Sequence, residues 1–190
     1  METVFILFLL TAFAFIKMSQ IRDWATNMGA PFEPLGAEVV ERVIKLANIT
    51  PGEIFYDLGS GDGRVVIAAA NKGARAVGVE YDFFRCWYSR FWIWFFKVHS
   101  SAKIVRNDIF EQKVGDADIV FTYLLPETNE KLYPKLISEM KPGARIVSAA
   151  FSYPKMKPEK IDPFGPVYGP IYLYVVGNNQ QDTTRVERKT

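Results

Sequence analysis

The sequence predicts an α/β fold: a mostly parallel sheet with helices on both faces and one ligand crevice. Three stretches carry that expectation. Ile54–Gly63 reads I-F-Y-D-L-G-S-G-D-G, an apolar run, an aspartate, then glycines at alternate positions. Ala76–Glu80 is a second apolar run that ends in an acid, and Asn107–Asp108–Ile109 closes a third. Runs that are apolar throughout, rather than alternating, indicate strands buried on both faces, which is the condition of parallel strands between helices. In such sheets the ligand sits beyond the carboxyl ends of the strands, where the three acids fall.

The glycine spacing narrows the ligand. A dinucleotide fold wants G-x-G-x-x-G, and a phosphate loop wants G-x-x-x-x-G-K-[ST]. Gly59, Gly61 and Gly63 stand instead in G-x-G-x-G, preceded by Asp57 and interrupted by Ser60 and Asp62. Two carboxylates repel a polyphosphate and suit an ammonium or sulfonium. Glu80 lies near the offset of about 20 residues at which an acid meets ribose hydroxyls in nucleotide-binding α/β folds.

Composition sets the bounds. The chain has 190 residues, 49% of them apolar and 23% charged, enough for one domain with a full core. A net charge of +2 gives no bulk attraction to nucleic acid. The single cysteine, Cys86, rules out an internal disulfide, and the single histidine, His99, leaves no zinc constellation and no histidine-driven triad. No metal is expected.

In chain order, Val4–Ile16 is an uncharged apolar run of roughly 13 residues, where a full membrane span wants about 20. Glu2 precedes it while Lys17 and Arg22 follow, the reverse of a signal peptide. The expectation is a retained N-terminal anchor over residues 1–20, with the rest on the cytoplasmic side by the positive-inside tendency. A buried N-terminal helix is the alternative. Residues 21–34, with Gly29, Pro31 and Pro34, read as a linker, and 35–178 as the domain. Gly36–Asn48 is amphipathic, with Val39, Val40, Val43, Ile44 and Ala47 on one face. Asp82 caps an aromatic helix, Phe83–Val98, whose rings fill about half the circumference at 100° per residue. That arc, led by Phe84, Trp87, Phe91 and Phe95, is wider than a sheet requires, with Ile93 and Phe96 left on the basic side with Arg85, Arg90 and Lys97. Surplus rings flanked by basic residues suit a lipid headgroup boundary; packing against the N-terminal segment is the alternative. Ala117–Leu125 reads as a central fourth strand, Thr128–Met140 as a helix and Ala144–Phe151 as a fifth strand. Ile161–Phe164 is an edge piece, Ile171–Val176 a last strand and 179–190 a polar tail.

Together D-L-G-S-G-D-G, G-V-E and N-D-I-F resemble the S-adenosylmethionine site of class I methyltransferases, a Rossmann-like fold with a mostly parallel seven-stranded sheet. The resemblance implies that Asp57, Gly59, Ser60, Gly61 and Asp62 wrap the methionine part of the cofactor. Glu80 would then hold the ribose, with Asp108 and Ile109 at the adenine. The fourth strand's end faces the methyl group, which makes Tyr123, Glu127 and Asn129 the acceptor-side candidates. No (Asn/Asp)-Pro-Pro-(Tyr/Phe) motif and no Pro-Cys pair stands there, which argues against DNA methylation. L-L-P-E-T-N-E-K-L-x-P-K-L followed by K-P-G-A-R-I-V-S is similar to the archaeal broad-specificity and mitochondrial protein lysine methyltransferases. The latter act on the ATP synthase c-subunit and the adenine nucleotide translocase, so protein lysine, including that of a membrane protein, is the implied acceptor. Burial lowers a lysine pKa from about 10.4, which eases loss of the proton with or without a dedicated base. Glu127 has a second reading as a first-turn acid that complements the helix dipole. A methyltransferase acting on a lipid or small hydrophobic molecule, and a cofactor-binding scaffold without transfer activity, are the other readings.

Overall fold

A computed structural model of the chain describes residues 33–163 and 169–177. The expected anchor, nearly all of the linker, the tail and the end of the edge piece lie outside these residues. Among the described residues no helix is long and apolar enough to cross a membrane.

The chain runs α1 (Ala37–Ala47), β1 (Ile54–Leu58), α2 (Arg64–Asn71), β2 (Arg75–Glu80), α3 (Phe83–Phe95) and β3 (Ala102–Arg106). It continues through β4 (Ile119–Thr122), α4 (Pro126–Glu139), β5 (Arg145–Ala149), β6 (Lys160–Asp162) and β7 (Ile171–Val175). The seven strands lie in the order β3-β2-β1-β4-β5-β7-β6. Neighbours from β3 to β5 are parallel, and β7 runs antiparallel to both β5 and β6. From β1 the chain winds outward to β3 and then crosses back to β4. The crevice therefore opens between β1 and β4.

Strand periodicity sorts side chains to two cores. Phe55, Ile119 and Phe121 face one cluster, built with Val39 and Val43 of α1, Val66 of α2 and Ile93 of α3. Tyr56, Leu58 and Val120 face the other, built with Leu132 and Leu136 of α4. The buried face of α1 is Val39, Val40, Val43, Ile44 and Ala47, as its spacing predicts. Asn48 ends that helix at φ 48°, a left-handed position that asparagine tolerates.

Three elements depart from expectation. β4 stops at Thr122 rather than Leu125, and α4 begins at Pro126 rather than Thr128. Leu125 takes an extended cap conformation and Pro126 sits in the first turn, where its missing N–H leaves nothing unpaired. Tyr123–Leu125 are thereby released from the sheet into the crevice. β3 likewise ends at Arg106, which leaves Asp108 on a loop.

The larger correction concerns α3. Asp82 caps it as expected, accepting the Phe84 and Arg85 amides at 2.9 Å. Most of the aromatic arc, however, turns from the sheet, although Trp92 packs against the core on that side. Cys86, Ser89 and Ile93 face the sheet, while Phe83, Trp87, Trp94 and Phe96 are each more than half exposed. The cause is a close approach: a Cβ added to Gly63 would stand 2.8 Å from the Ser89 Cβ. No ring fits there, so the helix turns its small residues inward.

Candidate active site

The glycine turn after β1 is held from three sides. Gly59 and Ser60 donate their amides to the Val79 carbonyl at 2.9 and 3.0 Å, and Gly61 donates to Glu80 Oε2 at 2.9 Å. Gly59, Gly61 and Gly63 all have positive φ, at 88°, 54° and 80°, which explains the alternate spacing. Asp62 pairs with Arg64, whose Nε donates to both carboxylate oxygens at 3.0 and 2.9 Å. Arg64 also donates to the Leu35 carbonyl and so ties the residues before α1 to the rim.

Asp57, at the end of β1, is 3% exposed, and burial pushes its carboxyl well above the ordinary range, with the Asp62 and Glu80 carboxylates adding to the effect. Glu80 is 6% exposed. Burial raises it too, against the amides of Asp82 and Gly61, which favour its ionised form. Asp82 N donates to Glu80 Oε1 at 2.8 Å, and the Arg85 guanidinium stands 3.8 Å from the same oxygen. Asp108 takes the Phe110 amide on Oδ1 at 2.8 Å, which fixes its loop. The buried thiol of Cys86 donates to the Glu80 carbonyl at 3.3 Å, and burial raises it to about 11, so it acts as a strut rather than a nucleophile.

Most of these groups line one cavity of about 770 Å³. Asp57, Gly59, Ser60, Gly61, Asp62, Glu80, Asp108 and Ile109 all belong to its wall. Of the acceptor-side candidates, Tyr123 lines it and Glu127 and Asn129 do not. Glu127 is exposed in the first turn of α4, and Asn129 is fully buried. Sequence reasoning missed Leu35, Arg85, Thr128, Ala150 and Gly169, also in the wall. None carries a motif; each arrives through chain packing, except that Arg85 stands one turn inside a helix capped beside Glu80.

The cavity has two chemically distinct halves. The ends of β1 to β3 bring Asp57, Asp62, Glu80 and Asp108, and Glu33 joins the wall from before α1. The wall from β4, β5 and the start of α4 comprises Phe121, Tyr123–Leu125, Thr128, Ala150 and Phe151, with no charged side chain. Among the described residues no cluster of three or more His, Cys, Asp or Glu side chains could hold a metal ion.

S-adenosylmethionine fits the acidic half on two observations. The buried Ser60 Oγ, in the wall, has no hydrogen-bond partner within the protein. Burial raises the carboxyls of Asp57 and Glu80, and a sulfonium with its amino-acid ammonium would favour their ionised forms. A crevice at the reversal of winding with these properties defines the class of S-adenosylmethionine-dependent methyltransferases. Comparison with known proteins gives the family: the ANTKMT methyltransferase domain matches residues 57–160, and the chain belongs to that family. The chain is 36% identical to a protein-lysine N-methyltransferase of Saccharolobus islandicus (strain REY15A), over 79% of this chain and 96% of that one. It is also 36% identical to the ATP synthase c-subunit lysine N-methyltransferase of Mus musculus, over 68% of this chain and 52% of the relative. An RNA methyltransferase of Salinibacter ruber, solved in complex with S-adenosyl-L-homocysteine, superposes with a TM-score of 0.73 at 33% identity, covering 77% of this chain and 95% of that one. The methyl donor is S-adenosylmethionine.

The raised Asp57 carboxyl is expected to make donor binding depend on pH. Without the donor, folding is weakened as pH rises from the ordinary value of 3.8 through the raised one, because the buried group must then ionise. A cationic donor favours the ionised form. Its affinity and its thermal stabilisation are therefore expected to grow with pH across that window, with proton release on binding. Calorimetry in buffers of different ionisation enthalpy checks this, and S-adenosylhomocysteine, lacking the sulfonium charge, should show the weaker dependence. Equal pH profiles for the two ligands would remove Asp57 from the charge balance.

Proposed function

We propose that this chain is a membrane-associated methyltransferase acting on protein lysine side chains. The observation that carries the reading is the uncharged wall at the ends of β4 and β5, facing an acidic donor half. A lysine that enters such a wall leaves water, which disfavours its ammonium form and frees the lone pair. The names of the relatives above support lysine as acceptor. The donor, when bound, supplies an electrophilic methyl on a sulfonium. The residues of this chain do the rest: Tyr123 orients the amine, the rings of Phe121 and Phe151 exclude water, and Asp57 and Glu80 hold the donor in line. Asp108 and Ile109 serve the adenine. Glu127 complements the positive end of α4, which it begins.

The membrane part rests on the outer face of α3. Phe83, Trp94 and Phe96 are 54%, 65% and 54% exposed, the exposed Lys97 follows Phe96, the Arg106 guanidinium stands 5.7 Å from the Phe83 ring centre, and no acid occurs between Asp82 and Asp108. Large exposed apolar surface rimmed by positive charge suits an anionic headgroup boundary, with the domain on the cytoplasmic side. Flotation with vesicles containing phosphatidylglycerol should carry the full chain. Trp94→Ala with Phe96→Ala should lower the bound fraction at least about tenfold, given the apolar area lost. Undiminished flotation of the double variant would assign attachment to residues 1–18, and no flotation of the unmodified chain would end the membrane reading.

The substrate is tested by supplying labelled methyl donor with membrane protein, lipid and RNA fractions. Label on protein lysine, reduced by Tyr123→Ala, is the expected outcome. The exposed rings of α3 favour a lipid or small hydrophobic acceptor as the second reading, and label confined to the organic extract would establish that instead. Donor binding without transfer to any fraction would leave a cofactor-binding scaffold.

A further inference from the structure

Beneath the uncharged wall lies a buried polar network that the transfer chemistry does not use directly. Thr122, Asn129 and Ser148 are all fully buried, and Tyr153 nearly so. Thr122 Oγ1 donates to Ser148 Oγ at 3.3 Å and lies 3.2 Å from the Tyr153 hydroxyl. Ser148 Oγ in turn donates to the Phe151 carbonyl at 2.6 Å. Asn129 Nδ2 reaches the same two oxygens, Ser148 Oγ at 3.3 Å and Phe151 O at 3.4 Å. Two side chains from different elements thus converge on one carbonyl.

That carbonyl closes an unusual turn. Ala150 has φ 64°, in the left-handed region that glycine visits freely and alanine does not. Its amide donates to Pro170 at 2.9 Å, and the Phe151 amide donates back to Ala149 at 2.8 Å. Gly169 packs so closely that an added Cβ would stand 3.3 Å from the Ala150 Cα. Ala150, Phe151 and Gly169 all line the cavity. A disfavoured backbone persists only where its surroundings over-determine it, and such places cluster at functional sites.

We propose that Ser148 and Asn129 are positioning residues for the methyl acceptor: by holding the Phe151 carbonyl they keep Ala150 left-handed and so shape the wall against which the acceptor side chain lies. This rests on the lysine-methyltransferase reading and deepens it. Neither side chain touches the cavity. Their action passes through the Ala150–Phe151 turn, and the donor half, built from β1 to β3, is outside their reach.

The test uses the full chain, with labelled donor and the membrane-protein fraction as acceptor. Ser148→Ala should raise the apparent KM for the acceptor between about tenfold and a hundredfold, the scale on which small misplacements act. The donor Kd by calorimetry should stay within about twofold. Asn129→Ala, which removes only the weaker donor, should act in the same sense and less, and serves if the serine variant does not fold. The decisive variant is Ser148→Ala with Ala150→Gly: glycine takes the left-handed conformation without a clamp, so the acceptor KM should return most of the way. A KM that stays unchanged in the single variants, a donor Kd that moves as much as the KM, or no recovery in the double variant would each overturn the proposal. Failure of the unmodified chain to label protein lysine would overturn the parent reading and this one together, whereas labelling by it with unaltered variants overturns this one alone.

Discussion

Glu80→Ala is expected to weaken donor binding by about 1–3 kcal/mol, roughly 5- to 150-fold in Kd, and to destabilise the free protein as well. The two effects have separate origins. With Glu80 at the ribose, as proposed, the affinity falls because the hydroxyls facing it lose their acceptor. The stability falls because Glu80 also takes the amides of Gly61 and Asp82, at 2.9 and 2.8 Å, inside a region only 6% exposed. Each buried amide left without a partner costs about 1–3 kcal/mol. Relief from burying a raised carboxyl offsets part of that cost, so the melting temperature should fall less than two lost acceptors imply. Glu80→Gln sharpens the test: one amide oxygen still accepts, while its NH₂ meets a backbone N–H that wants an acceptor, so the variant should fall between wild type and alanine. Titration calorimetry reads the first effect and thermal unfolding the second. An unaltered donor Kd in Glu80→Ala would sink the ribose assignment.

Gly63→Ala is expected to be the most damaging single-methyl change in the turn. Its φ of 80° belongs to the left-handed region, which costs a non-glycine residue about 1–2 kcal/mol. The added Cβ would also stand 2.8 Å from the Ser89 Cβ on α3, and overpacking of this kind costs about 1–3 kcal/mol. The backbone must shift, and with it Gly61, whose amide is tied to Glu80. Donor affinity and stability should therefore fall together. Ser89→Ala should not rescue it, because the clash is with Cβ; Ser89→Gly should relieve the steric part and leave the conformational part. A double-mutant cycle measured by thermal unfolding separates the two, and a coupling near zero between Gly63→Ala and Ser89→Gly would mean the turn and α3 are not in contact as described.

The legibility of the site followed the chemistry of its residues. Asp57, Glu80 and Asp108 end apolar runs, and a carboxylate at the end of a buried strand has few purposes, so the acidic half of the cavity could be named before any folding was considered. The helix α1 was equally plain, since its five buried residues repeat at helical spacing. The uncharged half was not. Ala150 has no side-chain chemistry, Leu35 enters only because Arg64 takes its carbonyl, and Gly169 comes from a segment far along the chain. Asn129 reads as acceptor-facing from its place just past the end of the fourth strand, yet the early start of α4 turns it inward to Ser148 and Phe151.

The amino-acid order alone thus determined the strand sequence, the glycine turn and the acids that tip β1 and β2 and follow β3, because these depend on local backbone preference and on burial period. Which face of α3 meets the sheet, where β4 lets go of the chain, and how Ala150 is held left-handed were decided only by the tertiary structure. Two of these are set by an approach between elements distant in sequence: Gly63 to Ser89 and Gly169 to Ala150. Hydrophobicity counts rings but carries no information about the room available to them, and at α3 it was the room that decided.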